Sequence, residues 1–203
     1  MMKKGIEMNK PVLFLDFDGP MFPENFIPHG RPISEYPGSL HPFISYWEMS
    51  QTSVRQLNAL YDIYQFDTVI SSSWNHFISL EQCVELFQHN GLNLHLHDEW
   101  CTPRRMSSYR VNEICWWLDR RTDATTYEAP AHIILDDPWS GGYLDDWELF
   151  ALQQPTIIDP NVGIDPEAYK NMRSIVRCWA DDYSTRTYTR VWPNRDYSKL
   201  DLG

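Results

Sequence analysis

The sequence predicts an α/β domain in which a mostly parallel sheet carries helices on both faces. Three observations lead there. Val12-Leu13-Phe14-Leu15, Val69-Ile70 and Ile133-Ile134-Leu135 are short, continuous apolar runs of the kind that parallel strands buried on both faces require. Between and beyond them, apolar residues recur at helical spacing. The first and the last of these runs end in acids, as Asp16-Phe17-Asp18-Gly19 and as Asp136-Asp137. Buried strands do not end in paired carboxylates unless the charges have something to hold.

Composition sets the bounds. A chain of 203 residues, 42% hydrophobic and 14% aromatic, suits one folded domain with a sizeable core plus an insertion, and excludes disorder for most of its length. A formal charge of −11 disfavours non-specific binding to long nucleic acid, which relies on Lys and Arg neutralising phosphates, but leaves room for a small phosphorylated ligand. Cys83, Cys101, Cys115 and Cys178 show no CxxC spacing, which implies reduced thiols and a cytoplasmic protein. The lysines of Met1 to Lys10 precede no apolar h-region, and no run approaches the ~20 apolar residues of a membrane span, so a soluble, unexported protein is expected.

In chain order, the first strand places Asp16 and Asp18 on one side, because side chains alternate along extended backbone, and Gly19 permits a sharp turn beyond them. Such a pair suits a shared divalent cation, most simply Mg2+. Pro20 to Gln51 is broken by six prolines and reads as a functional lid. Its aromatics Phe22, Phe26, Tyr36, Phe43, Tyr46 and Trp47 either stack on a base or sugar or glue the loop to the domain. Ser53 is expected to cap a helix with Val54, Leu57, Leu60, Tyr61 and Tyr64 on its apolar face. The strand Thr68-Val69-Ile70 then runs into Ser71-Ser72-Ser73-Trp74-Asn75. Ser79 to Gln82 forms a capping box for a helix carrying Leu80, Cys83, Val84 and Phe87 and ended by Gly91.

Leu92, Leu94 and Leu96 alternate with polar residues as a half-exposed strand. His95, His97 and Asp98 on that strand lack further metal partners at ligand spacing, which favours an exposed edge over a zinc site. Val111, Ile114, Cys115 and Leu118 mark a helix starting near Tyr109, with Arg110 in its first turn. A cation there opposes the helix dipole unless an anion lies between them, and a phosphate would be such an anion. The strand Ala131 to Leu135 leads into Asp136-Asp137. Asp145 and Asp146 read as loop acids. Thr156 to Ile158 forms a short strand, Asp165-Pro166 opens the last helix, and Tyr169, Met172, Val176 and Trp179 line its apolar face. Ser184 to Gly203 shows no clear period.

The strand ending in Asp-x-Asp-Gly resembles motif I of the haloacid dehalogenase (HAD) superfamily. The serines after the second strand resemble motif II, Arg110 the usually lysine motif III, and Leu135-Asp136-Asp137 motif IV, all in the superfamily's order. The resemblance implies a three-layer α/β/α Rossmannoid fold with strand order 5-4-1-2-3, which would bring both acid pairs to one crevice at the switch point. The motifs cover Val12 to about Ile164; a single domain over 1–182 is expected, with an insertion at 20–51 where the resemblance implies a flap or loop cap, and a C-terminal tail at 183–203 that the resemblance leaves unaccounted for.

The activity so implied is phosphomonoester hydrolysis. Asp16 is the expected nucleophile and Asp18 the general acid/base, with Ser72, or Ser71 beside it, and Arg110, or Arg104 or Arg105, on the phosphoryl oxygens. Gly19, Trp74 and Asn75 are expected near the substrate. Mg2+ would be held by Asp16, the Asp18 main-chain carbonyl and Asp137 or Asp136. Asp18 also argues against the dehalogenase branch, which does not keep an acid there. The combination of DFDG, SSSW, the Arg110 helix and LDD is most similar to the small HAD domains of nucleic-acid end-repair proteins, implying a nucleotide or a terminal phosphate as substrate. A small-metabolite phosphatase and a catalytically silent binding module are the competing readings.

Overall fold

A computed structural model describes residues 10–23, 47–103, 110–121, 129–137 and 156–181, the last four by backbone alone. Strands β1 (Val12–Leu15), β2 (Asp67–Ile70), β3 (His95–Cys101), β4 (His132–Asp136) and β5 (Thr156–Ile157) form a five-stranded sheet of order β3-β2-β1-β4-β5 with parallel pairing throughout. This is the expected 5-4-1-2-3 order read from the opposite edge. The helices are α1 (Gln51–Tyr64), α2 (Leu80–Asn90), α3 (Arg110–Asp119) and α4 (Pro166–Asp181), with a 3₁₀ turn at Ser73–His76.

Alternation along the strands divides the core in two. Leu13, Leu15, Ile133 and Leu135 pack with Leu57 and Leu60 of α1, Leu86 of α2 and Met172 of α4. Val12, Phe14, Val69 and Ile134 face the other way, onto Val111, Ile114, Trp117 and Leu118 of α3. Phe14 and Trp117 meet edge to face at 5.3 Å, and the Trp117 indole donates to Glu99 O of β3 at 3.1 Å, tying α3 to the sheet edge.

Local chemistry accounts for the boundaries, including those that differ from expectation. Ser50, not Ser53, caps α1: its hydroxyl accepts from Ser53 N at 3.4 Å. The buried Ser53 hydroxyl instead accepts from Ile164 N at 3.2 Å, joining α1 to the segment before α4. The Ser79–Gln82 capping box forms as expected, and Gly91 ends α2 with φ +67. β3 begins at His95 and not at Leu92, because Asn58 of α1 captures the preceding residues. Its amide donates to Gly91 O at 2.7 Å and its oxygen accepts from Asn93 N at 2.8 Å. The edge position of the two histidines follows the sequence. His95 pairs with Asp67 at 2.8 Å and His97 packs on the Trp117 ring at 4.9 Å.

The insertion after β1 is pinched at its base. Ser50 N donates to Met21 O at 2.9 Å, while Asn90 of α2 accepts from Met49 N at 2.7 Å and donates to Trp47 O at 2.8 Å. Phe26, Tyr36, Phe43 and Tyr46 lie outside the described residues, as do Arg104, Arg105, Asp145, Asp146 and the tail at 183–203. Among the described residues no helix is long and apolar enough to cross a membrane. Cys83 and Cys115 are buried and Cys101 is half-buried; the Cys178 side chain lies outside the described residues.

Candidate active site

Register builds the site. Leu15 lies opposite Ile70 on one side and Leu135 on the other, so the next residues of three adjacent strands are Asp16, Ser71 and Asp136. The ladder continues one step beyond the strands, with Asp16 N donating to Leu135 O at 3.0 Å and Ser71 N to Leu15 O at 2.9 Å. Asp16 shares the parity of Val12 and Phe14, and Asp136 that of Ile134, the residues that face α3. The first residue of α3 is Arg110.

Arg110 is only 8% exposed, and its guanidinium lies 3.7 Å from Asp16 Oδ1 and 3.5 Å from Asp136 Oδ2. Glu113, one turn on, flanks it at 3.6 Å. Glu113 also accepts from the Thr102 hydroxyl at 3.1 Å, so the guanidinium is steered from β3 as well as from its own helix. Arg110 Nε is the atom that faces Asp136 Oδ2, at 3.5 Å and without hydrogen-bond geometry.

Asp16 is buried, and burial pushes its carboxyl above the ordinary carboxylate value. The Arg110 charge opposes this, as do hydrogen bonds from the Ser72 hydroxyl, from Phe17 N at 2.8 Å and with Asp136. Of the two serine candidates, Ser72 is the one that touches Asp16. Ser71 has its hydroxyl buried without a hydrogen-bond partner among the described residues.

Asp18 occupies the exposed rim, yet the crevice walls crowd out enough water to push its carboxyl up to about 6. The charges of Asp16 and Asp137 add to this, while the Trp74 indole and Arg110 act against it. Trp74 Nε1 lies 3.1 Å from each Asp18 oxygen. Gly19 has φ +80, and a Cβ there would come within 2.9 Å of Asp137 Cβ, so a glycine is what lets the turn after β1 lie against the second acid of β4.

Asn75, expected near the substrate, and the loop aromatics, for which stacking on a ligand and gluing the loop were both open, have these surroundings. Asn75 is buried, and its amide nitrogen donates to Ile70 O at 3.0 Å and to the Thr102 hydroxyl at 3.2 Å, clasping β2 to the end of β3. It holds the serine turn in place instead of facing a ligand. Phe22 lies over Trp74 at 4.8 Å with 20° between the planes, and Trp47 meets both rings edge-on. These loop aromatics therefore glue the insertion to the domain. Sequence reasoning missed the steering of Arg110 by Glu113 and Thr102, and the indole contact to Asp18. An acid three residues after the arginine was the one available signal for the former.

A fully parallel sheet of this order, with acid pairs at the carboxyl ends of its adjacent central strands β1 and β4, defines a HAD-superfamily domain. The chain belongs to the family described as the HAD domain in Swiss Army Knife RNA repair proteins, whose model matches residues 12–168. Comparisons with curated proteins and with solved structures gave no match. Membership points to hydrolase chemistry of the phosphatase type.

The residues present fit magnesium by the chemistry of their donors. Asp16, Asp136, Asp137 and the Asp18 carbonyl are all hard oxygens. Among the described residues no three acidic, histidine or cysteine side chains converge as a ready-made cage. Magnesium favours such a partial set, since it is commonly held by one or two carboxylates together with water and substrate phosphate.

Proposed function

We propose that the chain is a magnesium-dependent phosphomonoester hydrolase acting through an aspartyl-phosphate on nucleotides or nucleic-acid terminal phosphates. The observation that carries this reading is the buried Asp16 carboxylate within 3.7 Å of Arg110, hydrogen-bonded by Ser72 at the mouth of a parallel sheet. In the first step an Asp16 oxygen bonds to phosphorus as the bond to the ester oxygen breaks, and the Asp18 carboxyl gives its proton to the departing oxygen. In the second, Asp18 takes a proton from water, the hydroxide oxygen bonds to phosphorus, and the Asp16 carboxylate leaves. Arg110 and Ser72 hold the phosphoryl oxygens and offset charge there.

Magnesium would be held by Asp16, the Asp18 carbonyl and Asp137; when bound it neutralises phosphoryl oxygens and orients them. Asp137 is preferred to Asp136, whose carboxylate faces Arg110 and accepts from Asp137 N at 2.9 Å. We read 1–182 as one domain, 20–51 as its loop cap, 183–203 as a tail, and the protein as cytoplasmic.

The test is hydrolysis of p-nitrophenyl phosphate with and without magnesium. Turnover that needs the metal and is lost in Asp16→Asn is expected. Absence of turnover by the wild type across a phosphoester panel would assign the chain to binding without chemistry.

A further inference from the structure

The indole of Trp74 reaches Asp18 across 56 residues of sequence and lies 3.1 Å from both carboxylate oxygens. A single N–H placed between two oxygens fixes the plane of the carboxylate, since rotation about the Cβ–Cγ bond would break one contact. The ring itself has little freedom. Phe22 stacks on it at 4.8 Å, Phe17 meets it at 5.1 Å and Trp47 at 5.4 Å, and the side chain is only 7% exposed. Ser72 accepts from Trp74 N at 3.4 Å, so the segment that brings a hydroxyl to Asp16 also sets the height of the indole over Asp18.

We propose that Trp74 is a positioning residue for Asp18, holding its carboxyl in the orientation from which it delivers a proton to the leaving oxygen. The inference rests on the hydrolase reading above and gives Trp74, expected near the substrate, a role that acts through Asp18. Phe22 and Trp47 lie near the two ends of the insertion, so the same ring stack ties its base to the acid.

The measurement is kcat/KM in the presence of magnesium for two phosphomonoesters. One is p-nitrophenyl phosphate, whose leaving group departs as a stable anion; the other is a nucleoside 5′-monophosphate, whose alkoxide needs a proton. Trp74→Phe keeps an aromatic ring in the stack and removes the N–H. It should lower kcat/KM for the nucleotide about tenfold or more while changing the aryl ester less than about threefold. Asp18→Asn should show the same leaving-group pattern, and Trp74→Phe added to Asp18→Asn should lower the rate no further.

Equal losses on both esters, or an undiminished effect in the Asp18→Asn background, would reduce Trp74 to a packing role. The contact is also readable without turnover. The Trp74 indole proton resonance, identified by its loss in Trp74→Phe, should move in Asp18→Ala by more than those of Trp47 and Trp117. An unmoved resonance overturns the proposal, whereas a resonance that moves as expected in Asp18→Ala together with a wild type that hydrolyses neither ester overturns the hydrolase reading instead.

Discussion

At the scale of single residues, the site among the described residues is a balance between the buried Arg110 guanidinium and several carboxylates. Arg110→Ala should lower kcat/KM about 10²–10³-fold, the range for losing one preorganised donor to transition-state charge, while Arg105→Ala should leave it nearly unchanged. A steady-state comparison in which Arg105→Ala abolishes turnover and Arg110→Ala does not would move the phosphate contact to the neighbour. Asp18 supplies a pH effect whose sign is fixed. Its carboxyl is pushed up to about 6 from 3.8 in the metal-free fold, so the folded state holds that proton more tightly than the unfolded chain. The resulting stabilisation is full below about 4 and is lost as pH rises through about 6. Asp18→Asn should therefore raise the metal-free melting temperature at pH 7.5, with the difference vanishing near pH 4; an unchanged or lowered value at pH 7.5 contradicts the assignment. The acids, the serines and Arg110 were legible because each ends an apolar run or opens an apolar stripe. The Trp74–Asp18 contact was not, because an indole N–H is hidden inside a residue that reads as core, and its partner lies 56 positions away.

At the scale of elements, hydrophobic pattern identified every strand and helix of the described sheet, because a strand buried on both faces has almost no freedom in composition. Boundaries set by side-chain to backbone hydrogen bonds were less visible. Asn58 delays β3 by holding Gly91 O and Asn93 N, and nothing in the spacing of Leu92, Leu94 and Leu96 betrays it. Ser50 and Ser53 are both plausible caps by type, and only the tertiary bond from Ile164 N to Ser53 Oγ separates them. The tightest junction is the turn after β1. Gly19→Ala adds a methyl 2.9 Å from Asp137 Cβ at a φ of +80, costing about 1–3 kcal/mol of strain and displacing a proposed magnesium ligand. Its apparent magnesium affinity, measured by activity or by thermal shift, should fall by more than its metal-free stability implies. Wild-type magnesium affinity in that variant would show that Asp137 does not hold the metal.

At the scale of the whole molecule, the parallel sheet brings both acid pairs to the carboxyl ends of its adjacent central strands. The base of that loop is closed by Ser50 N on Met21 O and by the Asn90 clasp on Met49 and Trp47, so its two ends enter the domain side by side. An insertion of this size, occupying 20–51, is small beside a separate cap domain, and on the proposed reading of it as a loop cap bulky esters are admitted. The described aromatics Phe22 and Trp47 are engaged with Trp74, so any stacking of a base, worth about 1–3 kcal/mol, must come from other rings. The formal charge of −11 weakens attraction for long polymers, which leaves recognition to local groups such as the Arg110 guanidinium and, on the proposed reading, magnesium. Nucleoside monophosphates and short oligonucleotides with a terminal phosphate should therefore be hydrolysed with higher kcat/KM than sugar or amino-acid phosphates. Lengthening the oligonucleotide should bring little further gain, and the rates should depend only weakly on salt. A panel in which sugar phosphates win by about tenfold, a difference of about 1.4 kcal/mol in transition-state binding, would mean that the loop closes over small substrates as a lid.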